Sequence, residues 1–234
     1  MRLPLYTLYN CFKGFSDVQL ISNNRPELLN RKFCNFLVSN SRDADPIREQ
    51  FFKKLSEYKQ VDSGGRFLNN IGHTVPNKLD FIRNYKFTIA FENSASSGYT
   101  TEKLIEPMAA SSIPIYWGNP NVHLDFNKKS FVCVNDFENI DEAINEIIRL
   151  DTNSEAYINM LSESRHNVNH KKYQNWMDDF DAYINHIIDQ PIEKAKRCTK
   201  FGYSKYYRKR TFIMSKVCSL PILKPIIRKL SYWP

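Results

Sequence analysis

The sequence predicts an α/β fold: a Rossmann-like parallel sheet with helices on both faces, followed by a basic C-terminal tail. Apolar runs of strand length alternate along the chain with segments whose apolar residues recur at helical spacing. The runs are nearly continuous, which is typical of strands buried on both faces of a parallel sheet. A third observation, the uneven distribution of charge, separates the tail from the folded part.

The predicted elements follow one another from Lys32 onward. The strands are predicted at Phe33–Ser39, Tyr85–Phe91, Ile113–Trp117 and Phe131–Val134. The helices are predicted from Asp45-Pro46 onward, with Ile47, Phe51, Phe52, Leu55 and Tyr58 on one face, and at Thr101–Ala110, Ile140–Leu150, Ser154–Ser164 and Lys172–Ile187. In such sheets ligands bind beyond the carboxyl ends of the strands, so the strand-to-helix junctions are where chemistry is expected.

The net charge of +8 is concentrated at the C-terminal end. From Pro191 to Pro234 the chain has twelve Lys or Arg residues and one acid, Glu193, so the remainder is slightly acidic. A nucleic-acid-binding role for the folded part therefore loses its main support. The five cysteines have no metal-ligand spacing, which favours free thiols or inert core residues.

Two basic residues lie where a cation is unfavourable. Arg48 and Lys103 each fall in the first turn of a predicted helix, where the macrodipole disfavours a positive charge by about 0.3 to 1 kcal/mol. A bound anion reverses that sign, because backbone N–H groups, dipole and cation then face the same oxygens. Two such junctions at one crevice would suit a diphosphate. For either residue alone, a solvated surface charge stays open as the alternative.

The segment from Tyr85 to Gly118, YKFTIAFENSASSGYTTEKLIEPMAASSIPIYWG, closely resembles the donor-binding signature of the α-1,3/4-fucosyltransferases, glycosyltransferase family ten. In that signature a strand ending in FEN is followed by a loop, by GY-x-TEK opening a helix, and by a strand reading PIYWG. The likeness extends from about Lys32 to Leu150, through FCNFLVSN, PIR, VDSGGRFLNNIG and NPNVHLDFNKKSFVCVNDFENIDEAI. The resemblance implies the donor-binding half of a GT-B type glycosyltransferase.

The resemblance also implies roles for individual residues. The family's PIR arginine and TEK lysine hold the pyrophosphate of GDP-fucose, which implies that role for Arg48 and Lys103. Glu102 resembles the acid that contacts the ribose and fucosyl region, and Asn93 and Tyr99 resemble further donor contacts. Arg48, Glu102 and Lys103 are thus the expected catalytic residues, with no metal or cofactor. Structural alternatives stay open: a turn cap for Asn93, packing for Tyr99, and helix-dipole complementarity for Glu102.

Pro107 departs from the expected pattern. It removes the N–H that would bond the carbonyl of Lys103. The helix is therefore expected to be short at its start or kinked, which affects where Lys103 points.

Metal binding is the weaker interpretation of the remaining clusters. Asp43-Ala-Asp45 and Asp179-Phe-Asp181 have the DxD spacing of metal-dependent glycosyltransferases, but Asp45 precedes Pro46 where a helix cap belongs. The second pair falls on a predicted solvated helix face. His166 and His170 have no evident third ligand and are interpreted as surface residues.

The resemblance implies inverting fucosyl transfer from GDP-fucose, with an expected α-1,3 linkage to a glycan such as N-acetylglucosamine in a bacterial surface polysaccharide. Such a displacement needs charge neutralisation on the diphosphate and a general base. The family places that base in a separate N-terminal acceptor-binding domain. We expect residues 1–31 to be a linker from that domain and residues 32–190 to be the GDP-fucose-binding domain. The alternative is a catalytically incomplete GDP-sugar-binding module.

Residues 191–234 contain KAKR, KYYRKR and IIRKLSYW, which interleave cations with aromatic and aliphatic residues. This composition suits an anionic membrane surface. Bacterial fucosyltransferases are similar in ending with basic, amphipathic segments at the inner membrane, so we expect peripheral attachment to its cytoplasmic face. A solvated basic end stays open, and nucleic-acid binding, which has no positive motif here, is not expected.

Overall fold

The computed structural model describes residues 5–8, 25–39, 44–167, 173–191, 209, 210 and 212. The chain divides into two compact units, Met1–Phe180 and Asp181–Pro234, and the division falls within the last long helix. The strands are β1 (Lys32–Phe36), β2 (Val61–Ser63), β3 (Tyr85–Phe91), β4 (Ile113–Trp117) and β5 (Val132–Cys133). The α-helices are α1 (Arg25–Leu29), α2 (Ile47–Tyr58), α3 (Lys78–Ile82), α4 (Glu102–Ala109), α5 (Ile140–Thr152), α6 (Ser154–Ser162) and α7 (Tyr173–Ile188).

The described strands form one parallel sheet in the order β2-β1-β3-β4-β5. The register places Cys34 of β1 between Val61 of β2 and Phe87 of β3. The chain moves from β1 outward to β2 and then crosses to β3 on the other side. The order therefore reverses between β1 and β3, and this switch point is where ligands bind in open α/β sheets.

Helices cover both faces of the sheet, as the continuous apolar runs predict. On one face, Phe87, Ile89 and Phe91 of β3 share a buried cluster with apolar residues of α2, α5 and α6. On the other face, Ala90 and Tyr116 share a second cluster with apolar residues of α4. Side chains alternate between the faces along β3 because the strand has a period of two. The predicted α/β class is confirmed.

The central strands β3 and β4 have the predicted bounds, but the prediction for β1 is wrong at its carboxyl end. The chain leaves the sheet after Phe36, since Val38 accepts a hydrogen bond from Phe67 N–H at 3.0 Å in place of a strand partner. Gly65 permits this approach, because a Cβ there would lie 1.9 Å from the Val38 carbonyl oxygen. The sequence analysis missed β2, with three residues, and α1 and α3, with five residues each, and it overextended β5.

The structure describes parts of the predicted linker and little of the predicted tail. Tyr6 and Leu28, both in the segment predicted to be a linker, are buried, and the Tyr6 ring meets Phe126 edge-on at 4.9 Å. Nearly all of the predicted tail lies outside the described residues, which include only Pro191 and residues 209, 210 and 212 of it. In the part that is described, no helix is long and apolar enough to cross a membrane.

The thiols that the structure describes are consistent with inert core residues. Cys34 and Cys133 are buried and form no disulfide. Burial raises the pKa of both, that of Cys133 to about 11. The other three cysteines lie outside the described residues.

Candidate functional site

The site lies at the switch point, where β1 leads into α2 and β3 leads into α4. Asp45 caps the start of α2, since its Oδ1 accepts a hydrogen bond from Ile47 N–H at 3.0 Å. Arg48 follows in the first turn, as predicted, and its side chain points into the protein with 2% of the residue exposed. A buried guanidinium at the positive end of a helix is unfavourable without an anionic partner.

The surroundings of Arg48 leave part of its hydrogen-bonding capacity unused. Its Nη1 donates to Asn93 Oδ1 at 2.9 Å. Its Nε is buried and has no hydrogen-bond partner among the described residues. Burial lowers the pKa of Arg48, while Glu92 and Tyr99 oppose that shift, so both acidic groups lie within electrostatic range of the guanidinium. A ligand oxygen could accept the unused hydrogen bond.

Asn93 joins the two junctions. It is the second residue after β3, and its carbonyl oxygen accepts a hydrogen bond from Asp45 N–H at 2.9 Å. Its side-chain oxygen accepts from Arg48, so the residue orients the guanidinium as well as the loop before α2. The structure therefore brings together Asn93 and Arg48, two of the residues predicted to contact the donor.

The second cation, Lys103, lies at the start of α4. The Thr101 side chain caps this helix, since its Oγ1 accepts a hydrogen bond from Lys103 N–H at 3.4 Å. The Lys103 ammonium donates to Glu92 Oε2 at 3.0 Å, and 21% of the lysine side chain is exposed. The cation predicted to hold a diphosphate is thus paired with a carboxylate in this structure.

Glu92 is a site residue that the sequence analysis missed. Its side chain is fully buried, and it accepts hydrogen bonds from Thr101 N–H at 2.7 Å and from the Thr101 hydroxyl. Burial raises its pKa, and the charge and hydrogen bonds of Lys103 and Thr101 counteract that rise. Gly118 makes room for it, because a Cβ there would lie 2.6 Å from Glu92 Cγ. One signal was available: a charge directly after a seven-residue buried strand requires a partner.

The remaining predicted residues flank this cluster. Tyr99 is half-buried in the loop between β3 and α4, within electrostatic range of Arg48. Glu102 is the first residue of α4 and half-buried. Burial raises the pKa of Glu106 on the same helix, and the charge of Glu102 adds to that rise. The position of Glu102 complements the positive end of the helix. The roles assigned to these residues through the family resemblance stay predictions.

Pro107 does not shorten α4. The helix begins at Glu102 and continues through Pro107 to Ala109, so a short start is excluded as the consequence of the missing N–H. The carbonyl of Pro107 itself remains bonded, accepting from Ser112 N–H at 2.9 Å. Lys103 therefore lies in the first turn of a helix that includes Pro107.

The weaker metal-binding interpretations gain no geometric support. Asp45 caps α2, and Asp179 and Asp181 are exposed on α7. His166 is half-buried, with its ring 5.5 Å from that of Phe126. Asp43 and His170 lie outside the described residues. In the described ranges, no group of three or more His, Cys, Asp or Glu residues is placed to hold a metal ion.

The sheet order defines a Rossmann-like domain with two basic residues, Arg48 and Lys103, at its switch point. Comparison with known proteins identifies the family. Residues 29–213 match the family described as "Glycosyltransferase family 10 (fucosyltransferase) C-term". The chain belongs to this family.

Individual relatives agree with this assignment. The chain is 43% identical over 156 residues to an α-(1,3)-fucosyltransferase of Helicobacter pylori, covering 66% of this chain and 32% of that protein. It is 32% identical over 189 residues to GDP-fucose protein O-fucosyltransferase 3 of Xenopus tropicalis, covering 73% and 39%.

Solved structures support the fold. A crystal structure of α1,3-fucosyltransferase matches with a TM-score of 0.66 and 40% identity, over 73% of this chain and 49% of that one. A second, with GDP-fucose, matches with a TM-score of 0.62 and 39% identity, over 68% and 49%. The chain thus spans about half the length of these solved chains and about a third of the curated relatives.

Proposed function

We propose that this domain binds GDP-fucose and supplies the donor-binding half of an inverting fucosyltransferase. The observation that carries the proposal is Arg48, a buried guanidinium at the sheet switch point, whose Nε has no hydrogen-bond partner in the part of the chain that the structure describes. The relative crystallised with GDP-fucose, at 39% identity, supports the choice of ligand.

The geometry suits the charge that develops during transfer. When the acceptor oxygen attacks the fucose C1, the bond to the GDP oxygen breaks and negative charge grows on the leaving diphosphate. Arg48, Lys103 and the two helix N-termini lie where they would stabilise that charge. The Glu92 carboxylate compensates the Lys103 ammonium, so neither charge is desolvated without a partner.

We propose an α-1,3 linkage to a glycan such as N-acetylglucosamine in a bacterial surface polysaccharide. The name of the Helicobacter pylori relative favours this linkage, whereas the Xenopus relative is named for fucosylating protein. A general base for the acceptor hydroxyl is proposed to come from an acceptor-binding domain or a partner chain. Assays with glycan and protein acceptors would separate these possibilities.

Thermal unfolding tests the donor assignment. A ligand that binds the native state at a hundredfold excess over Kd stabilises it by about 2.7 kcal/mol. GDP-fucose and GDP should raise Tm, while UDP-glucose at the same concentration should not. An equal response to all three, or none, contradicts the proposal. Product formation with an acceptor present then distinguishes a transferase from a binding module.

We also propose that residues 191–234 attach the protein peripherally to the cytoplasmic face of the inner membrane. The support is compositional: twelve cations and one acid, interleaved with aromatic and aliphatic residues. Of the described residues there, Phe212 is 61% exposed and Lys209 and Arg210 are exposed. Such a surface would hold the donor site near a lipid-linked acceptor.

A further inference from the structure

Asn119 is a buried polar residue at the carboxyl end of β4, two residues after Trp117. Only 1% of it is exposed. Neither its residue type nor its place in the sequence assigns it a role in binding the donor. Its side chain, however, makes hydrogen bonds with the loop that precedes α4, about twenty residues earlier in the chain.

The side-chain amide of Asn119 forms hydrogen bonds with the two loop residues that flank Tyr99. Its Oδ1 accepts a hydrogen bond from Gly98 N–H at 2.9 Å, and its Nδ2 donates to Thr100 Oγ1 at 3.0 Å. Tyr99 lies between these two anchors. The same Oδ1 accepts from Asn121 N–H at 2.9 Å, and the Asn119 N–H donates to Tyr116 Oη at 3.0 Å, so the amide itself is held in one orientation.

Thr101, at the end of this loop, is held by buried hydrogen bonds to Glu92, whereas the hydrogen bonds before Gly98 are exposed or local. Residues 94–98 are exposed, and the bond from Asn121 Nδ2 to Ser97 Oγ, at 2.9 Å, is exposed as well. The loop's own turn bonds join Tyr99 N–H to Ser96 O and Thr100 N–H to Gly98 O. These local bonds would survive a rigid displacement of the loop, whereas the bonds to Asn119 would not. The hydrogen bonds of the buried Asn119 side chain are therefore what ties Gly98 and Thr100 to the end of β4.

We propose that Asn119 is a positioning residue that sets Tyr99 against the donor site. It acts by tying Gly98 and Thr100 to the end of β4. This inference rests on the proposed function, because Tyr99 lies two residues before Thr101, whose N–H donates to Glu92, the partner of Lys103 at the proposed diphosphate site. Loss of the amide should leave the sheet intact and misplace Tyr99, lowering affinity for GDP.

The test uses the full chain, three single variants and one double variant. Asn119→Ala removes both loop anchors, and Asn121→Ala is the matched control because it removes only the exposed bond to Ser97. By calorimetry, GDP affinity should fall about tenfold in Asn119→Ala and less than twofold in Asn121→Ala. In a Tyr99→Ala background, Asn119→Ala should cost less than twofold more, because both changes remove the same contact.

Amide hydrogen exchange without ligand provides a readout that does not depend on GDP. Exchange at Gly98 should accelerate at least tenfold in Asn119→Ala, with the amides of β3 and β4 unchanged. Unchanged exchange at Gly98 overturns the anchoring. Faster exchange with parental GDP affinity, or full additivity with Tyr99→Ala, overturns the positioning role. If the parent binds no GDP, the proposed function fails, while the exchange result still decides the anchoring.

Discussion

Arg48 is buried, with 2% of its surface exposed. Among the described residues, its guanidinium donates a side-chain hydrogen bond to Asn93, whose amide is neutral. Lys103 differs, since a buried carboxylate already compensates its charge. The two cations of the proposed site therefore start from different electrostatic states. Substitution of either cation should weaken the binding of a diphosphate. Substitution of Lys103 should in addition leave the buried Glu92 carboxylate without its ion-pair partner.

We expect Arg48→Ala and Lys103→Ala each to weaken GDP binding by about 1.5 to 3 kcal/mol, the usual size of a hydrogen bond to a charged group. GMP should be affected less than GDP because it lacks the second phosphate. Calorimetry measures both ligands. Lys53→Ala is the control, since Lys53 lies on the same helix as Arg48 but is 65% exposed and paired with Glu49.

A further comparison tests the state of Lys103. Lys103→Ala leaves the buried Glu92 carboxylate near the incoming diphosphate, so Glu92→Gln in that background should recover part of the lost affinity. Parental GDP binding by both Arg48→Ala and Lys103→Ala would refute the two-cation site.

For single residues, the sequence identifies the two cations of the candidate site more readily than the groups that they contact. Arg48 and Lys103 stand out because a positive charge in the first turn of a helix can be recognised from local order alone. Glu92 and Asn119 could not be assigned this way. Their contacts with Lys103, Gly98 and Thr100 depend on how β3 and β4 lie beside the loop between them.

Among the secondary-structure elements, Asp151 near the end of α5 connects three of them. Its side chain is 3% exposed. It accepts hydrogen bonds from Lys59, directly after α2, at 3.0 Å and from Lys86 of β3 at 3.1 Å. A carboxylate at the C-terminal end of a helix is disfavoured by the dipole, so these donors must outweigh that effect. The ion pairs thus hold α2 and α5 against the same end of β3.

Asp151→Asn should lower the free energy of unfolding by about 1 to 3 kcal/mol at pH 7. Burial raises the pKa of Asp151, but hydrogen bonds and charge from Lys59 and Lys86 outweigh it, leaving the pKa below its ordinary value of 3.8. A carboxylate with a lowered native pKa stabilises the fold above the unfolded-state pKa. That contribution disappears as the pH falls through the native pKa.

Urea unfolding of parent and Asp151→Asn at several pH values measures this. The difference in unfolding free energy between the parent and Asp151→Asn should be constant above about pH 5 and shrink below about pH 4. Glu146→Gln, which breaks the surface pair with Arg149 on the same helix, should cost less than about 1 kcal/mol. A difference between parent and Asp151→Asn that persists unchanged at low pH would show that the ionised carboxylate is not its source.

The bounds of the strands could be predicted where an apolar run extends over the whole strand. The strands at Tyr85–Phe91 and Ile113–Trp117 were predicted to the residue, because each is a continuous buried run with both neighbours present in the sheet. The edge strand Val61–Ser63 has three residues, two of them polar, and its stability comes from pairing with β1. No local pattern distinguishes such a strand from a loop.

For the whole molecule, the sequence predicts the parallel sheet, with chemistry at the strand-to-helix junctions, because strand and helix signals alternate. The strand order, and with it the switch point, comes from the structure. The hydrogen bonds between polar side chains of different loops could not be predicted from the sequence. The charge asymmetry is a property of the same scale: a slightly acidic portion precedes a strongly basic end. That separation makes the proposed membrane role testable independently of the donor site.

Co-sedimentation with vesicles tests the tail. The full chain should pellet with vesicles containing anionic lipid at low salt, because each cation near such a surface contributes about 1 kcal/mol. It should remain in solution with neutral vesicles, and high salt should reduce binding because screening shortens the range of the attraction.

Two variants locate the effect in the tail. A chain ending at Gln190 should stay in the supernatant, provided that its Tm shift with GDP equals that of the full chain. In the full-length protein, changing Lys205, Arg208, Lys209 and Arg210 to Gln should lower partitioning at least tenfold while leaving the aromatic residues of KYYRKR in place. Equal partitioning of parent and both variants would remove the membrane role from the tail, and salt-sensitive retention on DNA without vesicle binding would assign its cations to nucleic acid.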